Sequence, residues 1–178
     1  MRLELGSGYN PTPGYYHVDL NPSAPGVDRV APAWPLDWVA DGTVAEIRAV
    51  DVLEHLSYRD TATVLADWAR ALAPGGRLFV QVPDAELIMR RFAARDQRLV
   101  VGLPPDLPQT VLAGATWRLL GGHADGAYAS DGDDWRWNAH YALFSIDSLR
   151  DTVETAGLEV VRHRVNQHPN IQLWAAKS

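Results

Sequence analysis

Short apolar runs bounded by turn residues open the chain. Residues 3–5 stop at Gly6-Ser7-Gly8, residues 15–20 carry Asp19 near their end, and residues 27–30 form a third run. Residues 46–50 and 77–82 supply a fourth and a fifth. Runs of this length read as strands, and burial on both faces predicts a parallel sheet. Between the last two, Val64, Leu65, Trp68 and Leu72 recur at helical spacing. Ser57 with Asp60 three positions on resembles a capping box, and Pro74-Gly75-Gly76 closes the helix.

Residues 85–95 and 108–120 are further helix candidates. Ser145 is placed to cap a last one, with Leu149 and Val153 facing inward and Gly157 ending it. Residues 158–165 and 171–176 then read as a hairpin around residues 166–170. The expected fold is α/β: a Rossmann-like, mostly parallel seven-stranded sheet with an antiparallel C-terminal hairpin. One geometrical constraint stands out. Parallel neighbours normally need a crossover of a dozen residues or more, yet only residues 6–14 and 21–26 separate the first three runs. Either the first two crossover helices are missing or very short, or the third strand is misplaced.

The 178 residues suit one domain, 1–178, with residues 85–140 as a substrate-lid insertion. Sixteen basic against 22 acidic residues give a net charge of −6, which disfavours a sequence-independent nucleic-acid binder. The absence of cysteine excludes disulfides, thiolate metal sites and cysteine nucleophiles. No stretch approaches the length of a membrane span and the N-terminus shows no apolar signal region, so no membrane is expected and the location reads as cytoplasmic. Seven tryptophans are many for this length. Trp68 and Trp174 read as core, while Trp117, Trp135 and Trp137 divide between core, interface and substrate wall.

Three segments carry candidate chemistry. Glycines after a first strand let a ligand approach the backbone, and a carboxylate at the next strand end can accept ribose hydroxyls, which describes Gly6-Ser7-Gly8 and Asp19. A plain tight turn and a carboxylate capping the turn at Asn21-Pro22 would use the same residues. The second segment is Ile47-Arg-Ala-Val-Asp-Val-Leu-Glu-His-Leu56, and the third is Leu72-Ala-Pro-Gly-Gly-Arg-Leu-Phe-Val-Gln-Val-Pro-Asp84. In their order and spacing the three resemble the class I S-adenosylmethionine-dependent methyltransferases, especially small stand-alone members associated with sugar and surface-polysaccharide pathways. The resemblance covers residues 3–84 and 141–159.

The resemblance implies S-adenosylmethionine as cofactor, with Gly6, Ser7 and Gly8 along its methionine part and Asp19 on its ribose. It places Asp51 and Val52 at the amino-acid portion. Glu54 and His55 belong to the same stretch with less defined roles, and His55 reads first as a packed, hydrogen-bonded histidine. The family's carboxylate after the third strand, which reads adenine, has no counterpart in Val30-Ala-Pro-Ala-Trp34. Asp28 or Asp37 would have to substitute, or the contact is missing, with Trp34 or Trp38 placed to stack on the base.

For a hydroxyl acceptor a histidine base is the usual choice. His140 is preferred over His123, because Tyr141 and Trp137 flank it. The acidic loop of Asp125, Asp131, Asp133 and Asp134 lacks calcium-loop spacing and reads as solvated, so no metal is assigned. The expected partner is a small-molecule substrate, a sugar or another hydroxyl or amine metabolite. A homodimer is also expected, because lost crossover helices would leave apolar sheet uncovered. A non-catalytic relative of the same fold and an aminopropyl transferase fit the same residues.

Overall fold

The computed structural model describes residues 1–121 and 138–178. His123, Trp135, Trp137 and the acidic loop lie outside the described residues. The strands are β1 (Arg2–Leu5), β2 (Tyr16–Asp19), β3 (Arg29–Val30), β4 (Val44–Val50), β5 (Leu72–Pro83), β6 (Leu158–Val165) and β7 (Asn170–Lys177). They form one seven-stranded sheet in the order β3-β2-β1-β4-β5-β7-β6. Neighbours from β3 to β5 are parallel, and β7 is antiparallel to both β5 and β6. The expected α/β sheet with its terminal hairpin is therefore present, and so is the constraint on its first connections: no helix separates β1, β2, β3 or β4.

The helices are α1 (Thr61–Ala71), α2 (Ala85–Ala93), α3 (Val111–Leu120) and α4 (Ile146–Thr155). Ser145 caps α4 in a full capping box with Ser148, as its position suggests. Thr110 caps α3, which starts three residues later than the apolar pattern indicates. The α1 start corrects the sequence reading. Asp60 holds the N-cap position without a side-chain bond, and Ser57 Oγ accepts from the Arg59 amide in the preceding turn. At the other end Leu72 is already extended and begins β5, so it is not the last residue of the helix. Lys177 Nζ donates to the carbonyls of Ala69 and Leu72 at 2.7 Å, a cation where the helix dipole favours one.

The two faces of the sheet are built differently. On one, Leu3, Leu5, Val18, Ile47, Ala49, Leu78, Val80 and Leu173 pack under α1 and α4 around a fully buried Trp68. The long loop between β3 and β4 closes this layer with Leu36 and Val39. It is held by Trp68 Nε1 donating to Ala33 O at 2.9 Å and by Arg70 donating to the carbonyls of Leu36 and Val39. Each aliphatic side chain buried there contributes about 1.5–3 kcal/mol.

The other face is where helices after β1 and β2 would lie, and it is not apolar. Glu4 accepts from Thr12 and from Arg48 Nε at 3.0 Å, and Glu46 takes Arg2, Arg77 and Tyr15. The residue 8–14 loop runs back over this network, and His17 bonds the carbonyls of both Thr12 and Gly26. Farther along, Arg48 lies over Phe79, Phe79 packs on Trp174, and Arg162 sits 3.9 Å above the Trp174 ring. Two expectations change. Trp174 is a half-buried member of this stack, not core, and the uncovered apolar surface invoked for a homodimer is an ion-paired, cation–π surface instead.

Candidate functional site

In an open parallel sheet the ligand crevice lies outside the carboxyl ends of the strands, where the strand order reverses. Here the chain steps from β1 outward to β2 and β3, then returns to place β4 on the other side of β1. The switch point is thus between β1 and β4. Gly6, Ser7 and Gly8 leave the end of β1, Asp19 ends β2, and Asp51 and Val52 follow β4. The fold gathers these six predicted residues along three adjacent strand ends.

The turn after β1 is fixed by local bonds. The amides of Gly6 and Ser7 donate to Val18 O at 2.8 and 3.3 Å. Gly6 has φ +64°, and a Cβ built on it would meet Val52 Cγ2 at 2.4 Å. No side chain fits between the two strands. Asp19 accepts from the amide of Gly8 through Oδ2 and from that of Asn21 through Oδ1, both at 2.8 Å. Its turn-capping role is therefore real, and it simultaneously ties the glycine turn to the end of β2. Each oxygen retains a further lone pair for a hydroxyl.

Asp51 sits in the left-handed region at φ +53°, the kind of strained position that a fold retains at functional sites. Gln81 Nε2 on β5 donates to both of its oxygens, at 3.1 and 3.2 Å. Burial raises the Asp51 carboxyl above its ordinary range against these bonds. Gln81 Oε1 accepts in turn from Gln172 Nε2 at 2.7 Å. Sequence reasoning did not single out Gln81; its signal was a polar residue inside Val80-Gln81-Val82.

The following turn, Leu53–His55, brings His55 against His140. His55 shares a hydrogen bond between Nδ1 and Ala139 O at 3.1 Å, and its ring meets His140 edge-on with centroids 4.8 Å apart. Residues 139–142 are stapled here, since the amides of Tyr141 and Ala142 both donate to Glu54 O. His55 is packed and hydrogen-bonded as expected, but against the predicted catalytic histidine. Its burial lowers its proton affinity, partly offset by the Ala139 bond. Glu54 is 1% exposed, and neither carboxylate oxygen has a hydrogen-bond partner on another described residue.

The adenine side departs from the expected substitutes. Asp28 precedes β3, and its carboxylate accepts the His17 amide at 2.8 Å, at the wrong end of the strand. Trp38 stacks near Tyr16, the first residue of β2, and under Arg29, away from the strand ends. Trp34 lies in the loop shortly after β3 and packs half-buried against the core.

An S-adenosyl nucleoside fits this donor set. Ser7 Oγ is buried with no partner among the described residues, and the adjoining Gly8 has nothing within 4 Å of the Cβ it lacks. A family model described as a methyltransferase domain matches residues 4–163. Solved structures agree on the fold. A protein from Pyrococcus horikoshii superposes with a TM-score of 0.63 at 11% identity, covering 100% of this chain and 83% of the other. A possible histamine N-methyltransferase from Thermotoga maritima gives 0.58 at 16% identity, with 99% and 81% covered. A Burkholderia thailandensis 1,6-didemethyltoxoflavin N1-methyltransferase, solved with bound 1,6-didemethyltoxoflavin and S-adenosylhomocysteine, gives 0.59 at 17% identity, with 99% and 70% covered. A comparison with curated protein sequences returns no match.

Proposed function

The chain belongs to the methyltransferase-domain family, and on that premise we propose that it methylates a small-molecule acceptor from S-adenosylmethionine. The observation that carries the reading is the Gly6–Gly8 turn beside the switch point, with its orphaned Ser7 Oγ, bonded to Asp19 at the end of β2. Gly6, Ser7 and Gly8 would line the methionine part, Asp19 would accept the ribose hydroxyls, and Asp51 and Val52 would bound the amino-acid end. Trp34 is the aromatic surface left for adenine. When bound, the cofactor supplies an electrophilic methyl carbon, whose bond to sulfur breaks as the acceptor's oxygen or nitrogen bonds to it.

The protein's contribution is then positioning and proton removal. His140 stands where the 139–142 strap meets the turn after β4, and we assign it the acceptor's proton. His123 is the alternative base. Helices α2 and α3, packed on each other through Ile88, Leu99 and Ala115, would cover the acceptor as a lid within residues 85–140. Among acceptors, hydroxyl or amine metabolites such as sugars suit a site lined by histidines and carboxylates. The test is calorimetric titration with S-adenosylmethionine and S-adenosylhomocysteine, followed by transfer of labelled methyl to candidate acceptors. Absence of binding overturns the reading, whereas binding without transfer to any acceptor returns a non-catalytic relative of the fold.

A further inference from the structure

The turn after β4 and the 139–142 strap bring together a donor set that methyl transfer by positioning does not require. Glu54, His55 and His140 each present one possible ligand atom, and these atoms all lie within 4.8 Å of one another. Glu54 is the unusual member: a carboxylate 1% exposed, both oxygens unpartnered on other described residues, beside two imidazoles. A buried carboxylate with no donor is costly unless a proton or a cation meets it. The His55 tautomer follows from its partner, because a backbone carbonyl can only accept. Nδ1 therefore carries the hydrogen donated to Ala139 O, and Nε2 keeps the lone pair. An imidazole held by a backbone carbonyl at one nitrogen and presenting the other is the usual arrangement of a metal-ligating histidine.

We propose that Glu54, His55 and His140 form a binding site for one divalent transition-metal ion of the zinc, cobalt or nickel class. Two imidazole nitrogens and one carboxylate oxygen suit such ions better than calcium or magnesium. Ligand bonds of about 2.0–2.2 Å would draw the donors to roughly 3–3.5 Å apart, a closure of about 1–2 Å that side-chain rotation can supply. Three protein ligands leave at least one coordination position for water or an acceptor. An acceptor oxygen bound there would lose its proton to solvent more readily, so the ion would replace the imidazole of His140 as the activating group. That use rests on the methyl-transfer reading; the site itself does not.

The experiment uses the full chain, stripped with chelator and titrated with Co²⁺ alone, read by calorimetry and by visible absorption. One equivalent is expected, with the absorption of a low-symmetry nitrogen–oxygen site. Glu54→Gln and His140→Gln should each weaken it by at least the ~10–100-fold that loss of an outer-shell partner already costs. Binding that persists unchanged in both variants, or no binding to the stripped protein at millimolar Co²⁺, overturns the proposal. Thermal unfolding of each variant separates lost ligation from lost fold, and if Glu54→Gln does not fold, the His140→Gln result decides. Titrating S-adenosylhomocysteine into the same preparations keeps a failed metal site distinct from a failed cofactor site.

Discussion

Gly6 and Val52 occupy one another's space: the Cβ that Gly6 lacks would lie 2.4 Å from Val52 Cγ2. The strand end that would hold the methionine portion is thereby locked against the strand end that would bound it. Gly6→Ala should cost about 1–2 kcal/mol for the left-handed backbone and ~1–3 kcal/mol more for overpacking. Gly8→Ala has no neighbour within 4 Å and should show the backbone cost alone. Denaturant unfolding of the two variants checks the difference. Equal losses would show that Val52 moves freely.

Asp19→Ala should weaken S-adenosylhomocysteine by ~1–3 kcal/mol, the worth of charge-assisted bonds to a sugar. Because Asp19 also holds the amides of Gly8 and Asn21, some of this loss would come from a loosened turn. Asp19→Asn keeps one acceptor oxygen and should fall between wild type and alanine in the same titration. Unchanged affinity in Asp19→Ala would remove the residue from the site.

Turnover should fall by about 10²–10⁴ in His140→Ala while cofactor affinity holds, whether the imidazole takes the proton itself or holds the ion that activates the acceptor. His123→Ala serves as the comparison, and a loss confined to that variant would transfer the base to it. Steady-state kinetics on the identified acceptor, with cofactor affinity measured separately, makes the distinction.

Asp96 supplies a pH dependence. The side chain and amide of Arg98 donate to its carboxylate and pull it down to about 2. A carboxyl whose folded value is depressed stabilises the fold above its unfolded value of about 3.9, and that contribution disappears as pH falls toward 2. Asp96 caps the short turn Gln97–Leu99, whose Leu99 is buried in the small α2–α3 cluster. The stability difference between wild type and Asp96→Asn should therefore be constant from neutral pH to about 5 and shrink below about 4. A difference that persists at pH 2 would locate the effect in the turn geometry, not the charge.

Light scattering should give a mass of 19.6 kDa, the single chain, at micromolar concentration. The case for a dimer required apolar sheet, and that face instead carries Glu4 and Arg48 beneath the residue 8–14 loop, with Glu46 and the Trp174 stack beside them. A doubled mass unaffected by salt would point to another surface.

The sheet and the strand-end residues were legible because each left a local mark. Gly6-Ser7-Gly8 interrupts an apolar run, Asp19 ends one, and the shortness of residues 6–14 forbids a helix. What escaped depends on long-range approach. Gln81 meets Asp51 across 30 positions, and His55 meets Ala139 across 84. The α1 start was misjudged for a different reason. Ser57 and Asp60 have the residue types of a capping box, but Ser57 bonds inside the preceding turn. The assumption that lost helices expose hydrophobic sheet failed because the strands themselves alternate, Glu4 between Leu3 and Leu5, Arg48 between Ile47 and Ala49.

That alternation makes the short connections irreversible in one step. A crossover helix transplanted from a larger relative would press an aliphatic stripe onto Glu4, Arg48 and Glu46, stranding charges that now meet each other and solvent. Restoring it would demand simultaneous replacement of the pairs beneath. The compact connections and the charged strands depend on one another, and a chimera that exchanges only the loops should fail to fold.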